Sequence, residues 1–218
     1  MSLPEQDPLE TFVVAVDGPA ASGKGTIAKT LGEAFKLPVL DTGLLYRGVG
    51  VLMRRAGQNL DDHEAAAAAA AVLTADQLDD PALRTRAAGE AASRVAVHPR
   101  VRDALLDFQR TFARQEGGAV LDGRDIGTVI APDAPAKLFV TASPEVRAHR
   151  RWSQLKSQGE TVTLEEVLAD IRRRDARDGG RDTAPMKPAP DAVLLDTSEM
   201  TIEQAADAAR RIVEAARA

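Results

Sequence analysis

The chain has 218 residues, of which 44% are hydrophobic and 28% charged, and its formal net charge is −5. This balance is typical of a globular protein and excludes a collagen-like or wholly disordered chain. Because the sequence has no cysteine, it excludes a disulfide framework, a thiolate metal site and a cysteine nucleophile. The acidic charge balance disfavours a nucleic acid polymer as partner. No apolar run approaches the ~20 residues of a membrane span. Residues 1–10 are acidic rather than signal-like, so we expect a cytoplasmic protein without membrane contact.

Short apolar runs alternate with helix-like segments along the chain. In chain order, strands are expected at residues 11–16, 38–40, 119–121, 137–141 and 192–195. Helices are expected after a glycine-rich turn as far as residue 35, and at 43–56, 90–97 and 99–114. Four more helices are expected to begin at residue 61 and at about residues 144, 163 and 201. Strands that alternate with helices pair in parallel. We therefore expect a three-layer α/β fold around a five-stranded parallel sheet.

Local signals mark where the last three helices begin. Ser143 precedes a proline, the residue favoured at the first helical position. Thr163 and Thr201 are followed three residues later by Glu166 and Gln204, the pattern of a capping box. Several predicted strands end in Asp or Gly, and ligands of open parallel sheets bind beyond those ends.

A glycine-rich turn follows the first predicted strand and opens the first predicted helix. It consists of Gly18, Pro19, Ala20, Ala21, Ser22, Gly23, Lys24, Gly25 and Thr26. The spacing G-x-x-x-x-G-K lets successive backbone N–H groups point at phosphate oxygens, beside the positive end of a helix. Lys24 then reaches the β- and γ-phosphates of a nucleotide. The general pattern has Ser or Thr after the lysine, whereas this chain has Gly25 and then Thr26, the form of nucleoside monophosphate kinases.

Further groups suited to phosphate follow the second and third predicted strands. Thr42 and Arg47 come just after the second strand, and Asp122 ends the third, at the position of the magnesium-associated aspartate of P-loop enzymes. Residues 172–182 hold five arginines and three aspartates and include a Gly-Gly pair at 179–180. Because phosphoryl transfer depends on positioning and charge neutralisation, this segment predicts a mobile arginine-rich lid.

Together these motifs resemble the bacterial-type cytidylate kinases of the nucleoside monophosphate kinase family. The resemblance runs from about residue 11 to the C-terminal helix. It is carried by residues 17–19 with 23–26, 41–43 with 46–47, 91–93 with 99–102, 122–125 with 127–128, 147–151, and 174–181. It implies a P-loop NTPase fold and transfer of the ATP γ-phosphoryl group to CMP or dCMP with Mg²⁺, by a monomer.

The resemblance also implies roles for residues at matching positions. The ATP-binding residues are expected to be Gly18 to Thr26 and Arg150, with Thr26 and Asp122 holding Mg²⁺ partly through water. The expected catalytic residues are Lys24, Asp122, Arg124, Arg174 and Arg181. The expected CMP-binding residues are Thr42, Arg47, Ser93, Arg102, Arg124, Asp125, Arg174, Asp178 and Arg181. Of these, the arginines at 47, 124, 174 and 181 are expected on the phosphate, Ser93, Arg102 and Asp125 on cytosine, and Asp178 on the ribose.

We expect one kinase domain over residues 1–218. Its core is predicted at 11–42, 117–155 and 188–218, with a monophosphate-binding region at 43–116 and a lid at 156–187. Many family members carry a β-rich insert in the monophosphate-binding region, but here only residues 73–92 fill that space, without an alternating strand pattern. The region is therefore expected to be small and helical.

Acceptor selectivity is predicted from Asp125, which follows the phosphate-binding Arg124. A carboxylate accepts a hydrogen bond from the cytosine N4 amino group, whereas uracil presents a carbonyl oxygen there. One alternative is a P-loop kinase for UMP, AMP or a small metabolite. A second is a nucleotide-dependent switch, although the sequence has no guanine-reading N/T-K-x-D motif. A third is a silent nucleotide-binding module, which Lys24 and the arginine-rich segment argue against.

Overall fold

The structure, a computed structural model, describes residues 11–217. Its strands are β1 (Phe12–Asp17), β2 (Val39–Asp41), β3 (Gly118–Gly123), β4 (Ala136–Thr141) and β5 (Val193–Asp196). Its helices are α1 (Lys24–Phe35), α2 (Thr42–Arg55), α3 (His63–Ala71), α4 (Arg86–Val95), α5 (Pro99–Ala113), α6 (Pro144–Ser157), α7 (Leu164–Gly179) and α8 (Ile202–Arg217). Short helical turns lie at Ala75–Asp79, Pro81–Arg84 and Ile126–Ile130. The acidic segment 1–10, used above in predicting the compartment, lies outside the described residues.

The five strands form one parallel sheet in the order β2-β3-β1-β4-β5. This confirms the predicted fold class, and each strand lies within two residues of its predicted place. The register pairs Asp41 with Asp122 and Asp17 with Gly123. The carboxyl ends of β1, β2 and β3 therefore bring three acidic residues to one edge of the sheet.

Alternate residues of β1 face two separate apolar layers. Val14 and Val16 pack with α1 and α8, whereas Val13 and Ala15 pack with α5 and the turn at 126–130. This alternation produces the three layers of the fold. Because β1 is paired on both sides and covered on both faces, its end is a rigid base for the loop that follows.

The predicted helix starts are confirmed at Ser143, Thr163 and Thr201, whose side chains accept backbone N–H bonds in the first turn. The helix expected at 90–97 instead spans Arg86–Val95, because the Thr85 hydroxyl caps it by accepting from the Ala88 N–H at 3.1 Å. No helix within residues 11–217 is long and apolar enough to cross a membrane.

Two helical segments outside the sheet have apolar cores of their own. Side chains of α2, α3, α4 and α5 form one cluster, and those of α6 and α7 form another. Three alanines of the alanine-rich α3, at positions 66, 69 and 70, are buried in the first cluster, so this helix is half-buried rather than a purely surface helix. Residues 73–92 form two short helical turns and part of α4 and contain no strand, which confirms the expected helical character of this stretch.

Candidate active site

The glycine-rich turn joins the end of β1 to α1, as the sequence predicts. The backbone is left-handed at Gly18 (φ 146°), Ala21 (φ 61°) and Gly23 (φ 94°), and the helix begins at Lys24. A Cβ atom at Gly18 would lie 2.0 Å from the Val140 carbonyl oxygen. Only glycine therefore fits where the loop leaves the sheet.

Two arginines of α6, one helical turn apart, hold this loop from outside. Arg147 Nη1 donates to the carbonyl oxygen of Ala20 at 3.3 Å, and Arg150 Nη1 donates to that of Ser22 at 3.3 Å. Arg150 also donates to Thr197, at the hydroxyl (2.9 Å) and at the carbonyl oxygen (2.7 Å). Because these loop carbonyls are engaged by α6, they do not point into the space that phosphates would occupy.

Lys24 and Asp122 face each other at the end of the sheet, with Nζ and Oδ1 3.5 Å apart. Burial lowers the pKa of Lys24 to about 8, an effect that Arg124 reinforces and Asp122 opposes. Burial also raises the pKa of Asp122 to about 6, while the charge of Lys24 opposes that shift. A Cβ atom at Gly25 would lie 3.2 Å from Asp122 Oδ2. This close approach explains why glycine follows the lysine here.

The donor atoms near Asp122 suit a magnesium ion that arrives with a nucleotide. Within residues 11–217 no group of three or more His, Asp or Glu side chains could hold a metal by itself. Mg²⁺ is usually bound by one or two carboxylates together with phosphates and waters. The Asp122 carboxylate fits that type of donor set, and the Thr26 hydroxyl lies two residues after Lys24 in the first turn of α1.

Three arginines from two segments converge on the buried carboxylate of Asp178. Arg124 Nε lies 3.1 Å from Oδ2, Arg174 Nε lies 3.7 Å from it, and Arg181 pairs with Oδ1. Burial favours the neutral form of Asp178, but Arg124, Arg181 and Arg174 outweigh burial and lower its pKa to about 2. The single negative charge of Asp178 therefore neutralises only part of the positive charge of the three arginines.

Arg174 is buried among these positive charges. Burial, aided by the charge of Arg124, lowers the pKa of Arg174 to about 9. The Nε atoms of Arg174 and Arg181 are buried and have no hydrogen-bond partner among the described residues. Unpaired donors in a positively charged cleft are the arrangement expected of an anion site.

Arg47 reaches the same cleft from α2. Its Nη1 donates to the Leu83 carbonyl oxygen at 2.8 Å, and burial lowers its pKa. A Cβ atom at Gly89 would lie 3.5 Å from both terminal nitrogens of Arg47 and 3.6 Å from Arg174 Nη1. The absence of a side chain at Gly89 therefore leaves room for two guanidinium groups side by side, a role that was not predicted from the sequence.

The residues predicted to read cytosine border this arginine cluster, since Ser93 contacts Asp178 and the charges of Arg102 and Asp125 act on Arg181. Arg102 and Asp125 form a buried ion pair. Ser93 donates to Asp178 Oδ1 at 3.3 Å and accepts from Arg177 Nη1 at 3.0 Å.

Thr42, at the start of α2, donates its hydroxyl hydrogen to the Asp122 carbonyl oxygen at 2.8 Å. The hydroxyl oxygen therefore offers a ligand a lone pair and no hydrogen.

Two cavities flank the glycine-rich loop. The larger, about 720 Å³, lies between α2, α4, α6 and α7 and is lined by Ala20, Arg47 and Arg174 among others. The smaller, about 490 Å³, lies between the loop, α6 and α8; its lining includes Thr26, Arg150, Thr197 and Ile202. Arg150 was predicted as an ATP-binding residue. Thr197 was not predicted, although its position directly after β5 was a usable signal.

Comparison with known proteins matches this geometry to one family. A family model described as cytidylate kinase matches residues 14–215. A protein named cytidylate kinase from Caulobacter sp. (strain K31) is 70% identical over 207 residues, which cover 95% of this chain and 96% of that protein. One of the same name from Xanthobacter autotrophicus (strain ATCC BAA-1158 / Py2) is 61% identical and covers 95% and 99%. The chain belongs to the cytidylate kinase family.

Membership of the cytidylate kinase family confirms the resemblance drawn from the motifs. A solved structure of an uncharacterized protein from Eubacterium ventriosum ATCC 27560 matches 94% of this chain and 99% of its own, with a TM-score of 0.54 at 15% identity. That likeness shows the fold alone. The individual roles of residues in the site rest on the geometry described above and are proposals.

Proposed function

We propose that this cytidylate kinase family member transfers the γ-phosphoryl group of ATP reversibly to CMP or dCMP, giving ADP and CDP or dCDP. The observation that carries the proposal is the arginine cluster beside the P-loop. One cleft holds five cationic side chains and three carboxylates, so positive charge is in surplus. The cations are Lys24, Arg47, Arg124, Arg174 and Arg181, and the carboxylates are Asp41, Asp122 and Asp178. Two polyanions that must approach each other need such a surplus.

In this proposal the backbone of residues 18–26 and Lys24 bind the ATP phosphates. Arg150 and Thr197 border the smaller cavity, which is suited to the donor nucleoside. The acceptor phosphate is bound by Arg47, Arg124, Arg174 and Arg181, whose side chains meet between α2 and α7. Arg174 stabilises the charge of the transferring group, supported by its buried, unpartnered Nε.

Cytosine is recognised by groups of matching hydrogen-bond polarity. Asp125 accepts from the N4 amino group, and Thr42 offers a second lone pair because its hydrogen is donated to the Asp122 carbonyl. Arg102 and Ser93 donate to O2 and N3. For this the Ser93 hydroxyl turns its hydrogen from Asp178 Oδ1 to the base, and Asp178 then contacts the ribose. Uracil would leave the buried Asp125 carboxylate facing an oxygen, a mismatch that costs about 1–3 kcal/mol.

We propose that Mg²⁺ accompanies ATP and that the protein residues that would hold it are Asp122 and Thr26. When bound, the ion would neutralise phosphate charge. The acceptor needs no general base, because a phosphate monoester with a second pKa of ~6 is already a dianion at pH 7. The arginines neutralise the two substrates, and closure of the cleft excludes water that would otherwise accept the phosphoryl group.

We also propose that residues 43–116 form the monophosphate-binding region and residues 156–187 the lid, around a core at 11–42, 117–155 and 188–218. The separate apolar clusters support this division. Polar contacts bridge the two outer segments: Arg177 Nη2 lies 3.0 Å from Glu90 Oε1, and Arg86 pairs with Asp170.

We propose that the chain acts as a cytoplasmic monomer with ATP and CMP or dCMP as its partners, and with neither a nucleic acid polymer nor a membrane. The support is the net charge of −5 and the cytoplasmic location of these nucleotides. Light scattering on the purified chain tests the monomer, since a dimer mass at micromolar concentration contradicts it.

The decisive experiment measures ADP release from Mg-ATP with CMP, dCMP, UMP and AMP as separate acceptors, and with no acceptor. We expect strong turnover with CMP and dCMP and little with AMP. Asp125→Asn is expected to lower the CMP/UMP preference by about ten- to a hundredfold. Equal turnover with UMP and CMP contradicts the base-reading part, and no acceptor-dependent turnover contradicts the whole proposal.

A further inference from the structure

Asp125 stands at the start of a helical turn without capping it. The turn Ile126–Ile130 follows β3, and Asp125 is the residue before its first position. An aspartate there ordinarily accepts from the backbone N–H groups of its own turn. The Asp125 side chain makes no such bond and instead pairs with Arg102. The first N–H groups of the turn must therefore be satisfied by another residue.

The missing cap comes from Asp17, 108 positions earlier, at the end of β1. Its Oδ1 accepts from the Ile126 N–H and its Oδ2 from the Gly127 N–H, each at 2.8 Å. Asp17 is buried, with 3% exposure. Both oxygens of one carboxylate are thus used on two consecutive peptide groups, which fixes the backbone immediately after Asp125.

We propose that Asp17 is a positioning residue for acceptor-base selectivity. It caps the turn in place of Asp125, which leaves the Asp125 carboxylate free to pair with Arg102 and to meet cytosine. The inference rests on the proposed function, in which Asp125 reads the base. Asp17 itself contacts neither substrate in this scheme.

Asp17 is well suited to this role because its backbone is held within the sheet. It is the last residue of the central strand, with Gly123 and Phe139 as register partners on either side. The next residue, Gly18, packs closely against Val140. A Cβ atom added to Gly18 would lie only 2.0 Å from the Val140 carbonyl oxygen. The carboxylate that holds the base-reading turn is therefore fixed to the strand that also starts the phosphate loop.

Replacement of Asp17 by asparagine makes the capping role testable. The amide offers one acceptor oxygen, and its NH₂ group would face a backbone N–H. Because the turn then lacks one acceptor, the Asp125 carboxylate becomes the nearest alternative cap and leaves the position from which it reads cytosine. Burial raises the pKa of Asp17 to about 7, an effect that the Gly127 and Ile126 N–H groups oppose, so assays are best made at pH 7.5 or above.

The experiment compares kcat/KM for CMP and UMP in wild type, Asp17→Asn, Asp125→Asn and the double variant. We expect Asp17→Asn to lower the CMP/UMP ratio by about tenfold or more, with KM for ATP within twofold of wild type. The double variant should show the ratio of Asp125→Asn alone, because both changes act through one carboxylate. Val14→Ala, a cavity change in the same strand with Val14 fully buried, is the control for lost stability and should keep the wild-type ratio.

The outcomes separate this inference from the proposed function. If Asp125→Asn changes the ratio and Asp17→Asn does not, the positioning role is overturned and base reading stands. If neither variant changes the ratio, base reading by Asp125 fails and the role of Asp17 with it. Should Asp17→Asn fail to fold, Asp17→Ser, whose hydroxyl still accepts one N–H, gives the same comparison. Additive effects in the double variant also overturn the inference.

Discussion

Arg147 on α6 holds Asp175 on α7 by two parallel contacts, Nη1–Oδ1 at 3.0 Å and Nη2–Oδ2 at 2.7 Å. The same guanidinium donates from Nε to the Ala142 carbonyl oxygen at 2.8 Å and from Nη1 to that of Ala20 at 3.3 Å. Asp175 is next in sequence to Arg174. One buried arginine therefore joins the phosphate loop to the helix that carries a proposed catalytic arginine.

Asp175→Asn is expected to lower kcat with CMP by roughly ten- to a hundredfold, because a small displacement of Arg174 from the phosphate loop misaligns transfer. It should also raise ATP hydrolysis without acceptor relative to transfer, since a poorly anchored α7 excludes water less well. Coupled ADP release with and without CMP measures both quantities.

Glu145→Gln is the matched control for this prediction. Glu145 and Arg172 form a second ion pair between α6 and α7, at 2.9 Å, but both side chains are about 60% exposed. Exposed pairs contribute little, so this variant should keep wild-type rates. Equal effects of the two variants would show that the Arg147–Asp175 pair has no special role.

Arg174→Ala is expected to lower kcat by about a hundredfold while KM for CMP changes much less, because Arg174 is proposed to act on the transferring group. Steady-state kinetics with CMP varied at saturating Mg-ATP give the two constants. Arg173→Ala, which removes a neighbouring arginine with a 63% exposed side chain, is the control. A rise in KM with unchanged kcat would assign Arg174 to binding alone.

ATP affinity is expected to fall about tenfold between pH 7 and pH 9. Burial lowers the pKa of Lys24 to about 8 in the ligand-free protein, so neutral lysine dominates above pH 8 and must take up a proton to bind phosphate. Calorimetric titration with Mg-ATP across this range measures the change. The Lys24→Arg variant should bind ATP more weakly, but its affinity should not change with pH, since arginine keeps its charge. A wild-type affinity that does not change with pH contradicts the lowered pKa of Lys24.

Gly118→Ala is expected to destabilise the fold by about 3 kcal/mol or more, through a left-handed φ and overpacking. Gly118 has φ 97°, and an added Cβ would lie 2.0 Å from the Phe12 carbonyl oxygen. Gly117 also has a left-handed φ, 78°, but no atom within 4 Å of an added Cβ. Gly117→Ala should therefore cost only about 1–2 kcal/mol. Urea unfolding gives both free energies, and equal losses would rule out the steric explanation.

Structural features that are determined by residues close together in the sequence were predicted well. The glycine-rich loop, the five strands and the helix starts at Thr163 and Thr201 depend on neighbours within a few residues, so local patterns suffice. The start of α4 was predicted four residues too late, at 90 rather than at Arg86. The structure places Gly89 inside the helix, where the missing side chain makes room for Arg47 and Arg174, a reason that lies in residues far along the chain.

By itself the sequence determined the α/β fold class, the phosphate loop at 18–26 and the family to which the chain belongs. These follow from hydrophobic spacing and from motifs whose residues are adjacent. Only the tertiary structure decided that Asp17 caps the turn after Asp125, that Arg147 joins the loop to Asp175, and that Gly25 lies against Asp122. Each of these contacts joins segments that the sheet register and helix packing bring together, and no local pattern encodes which segments those are.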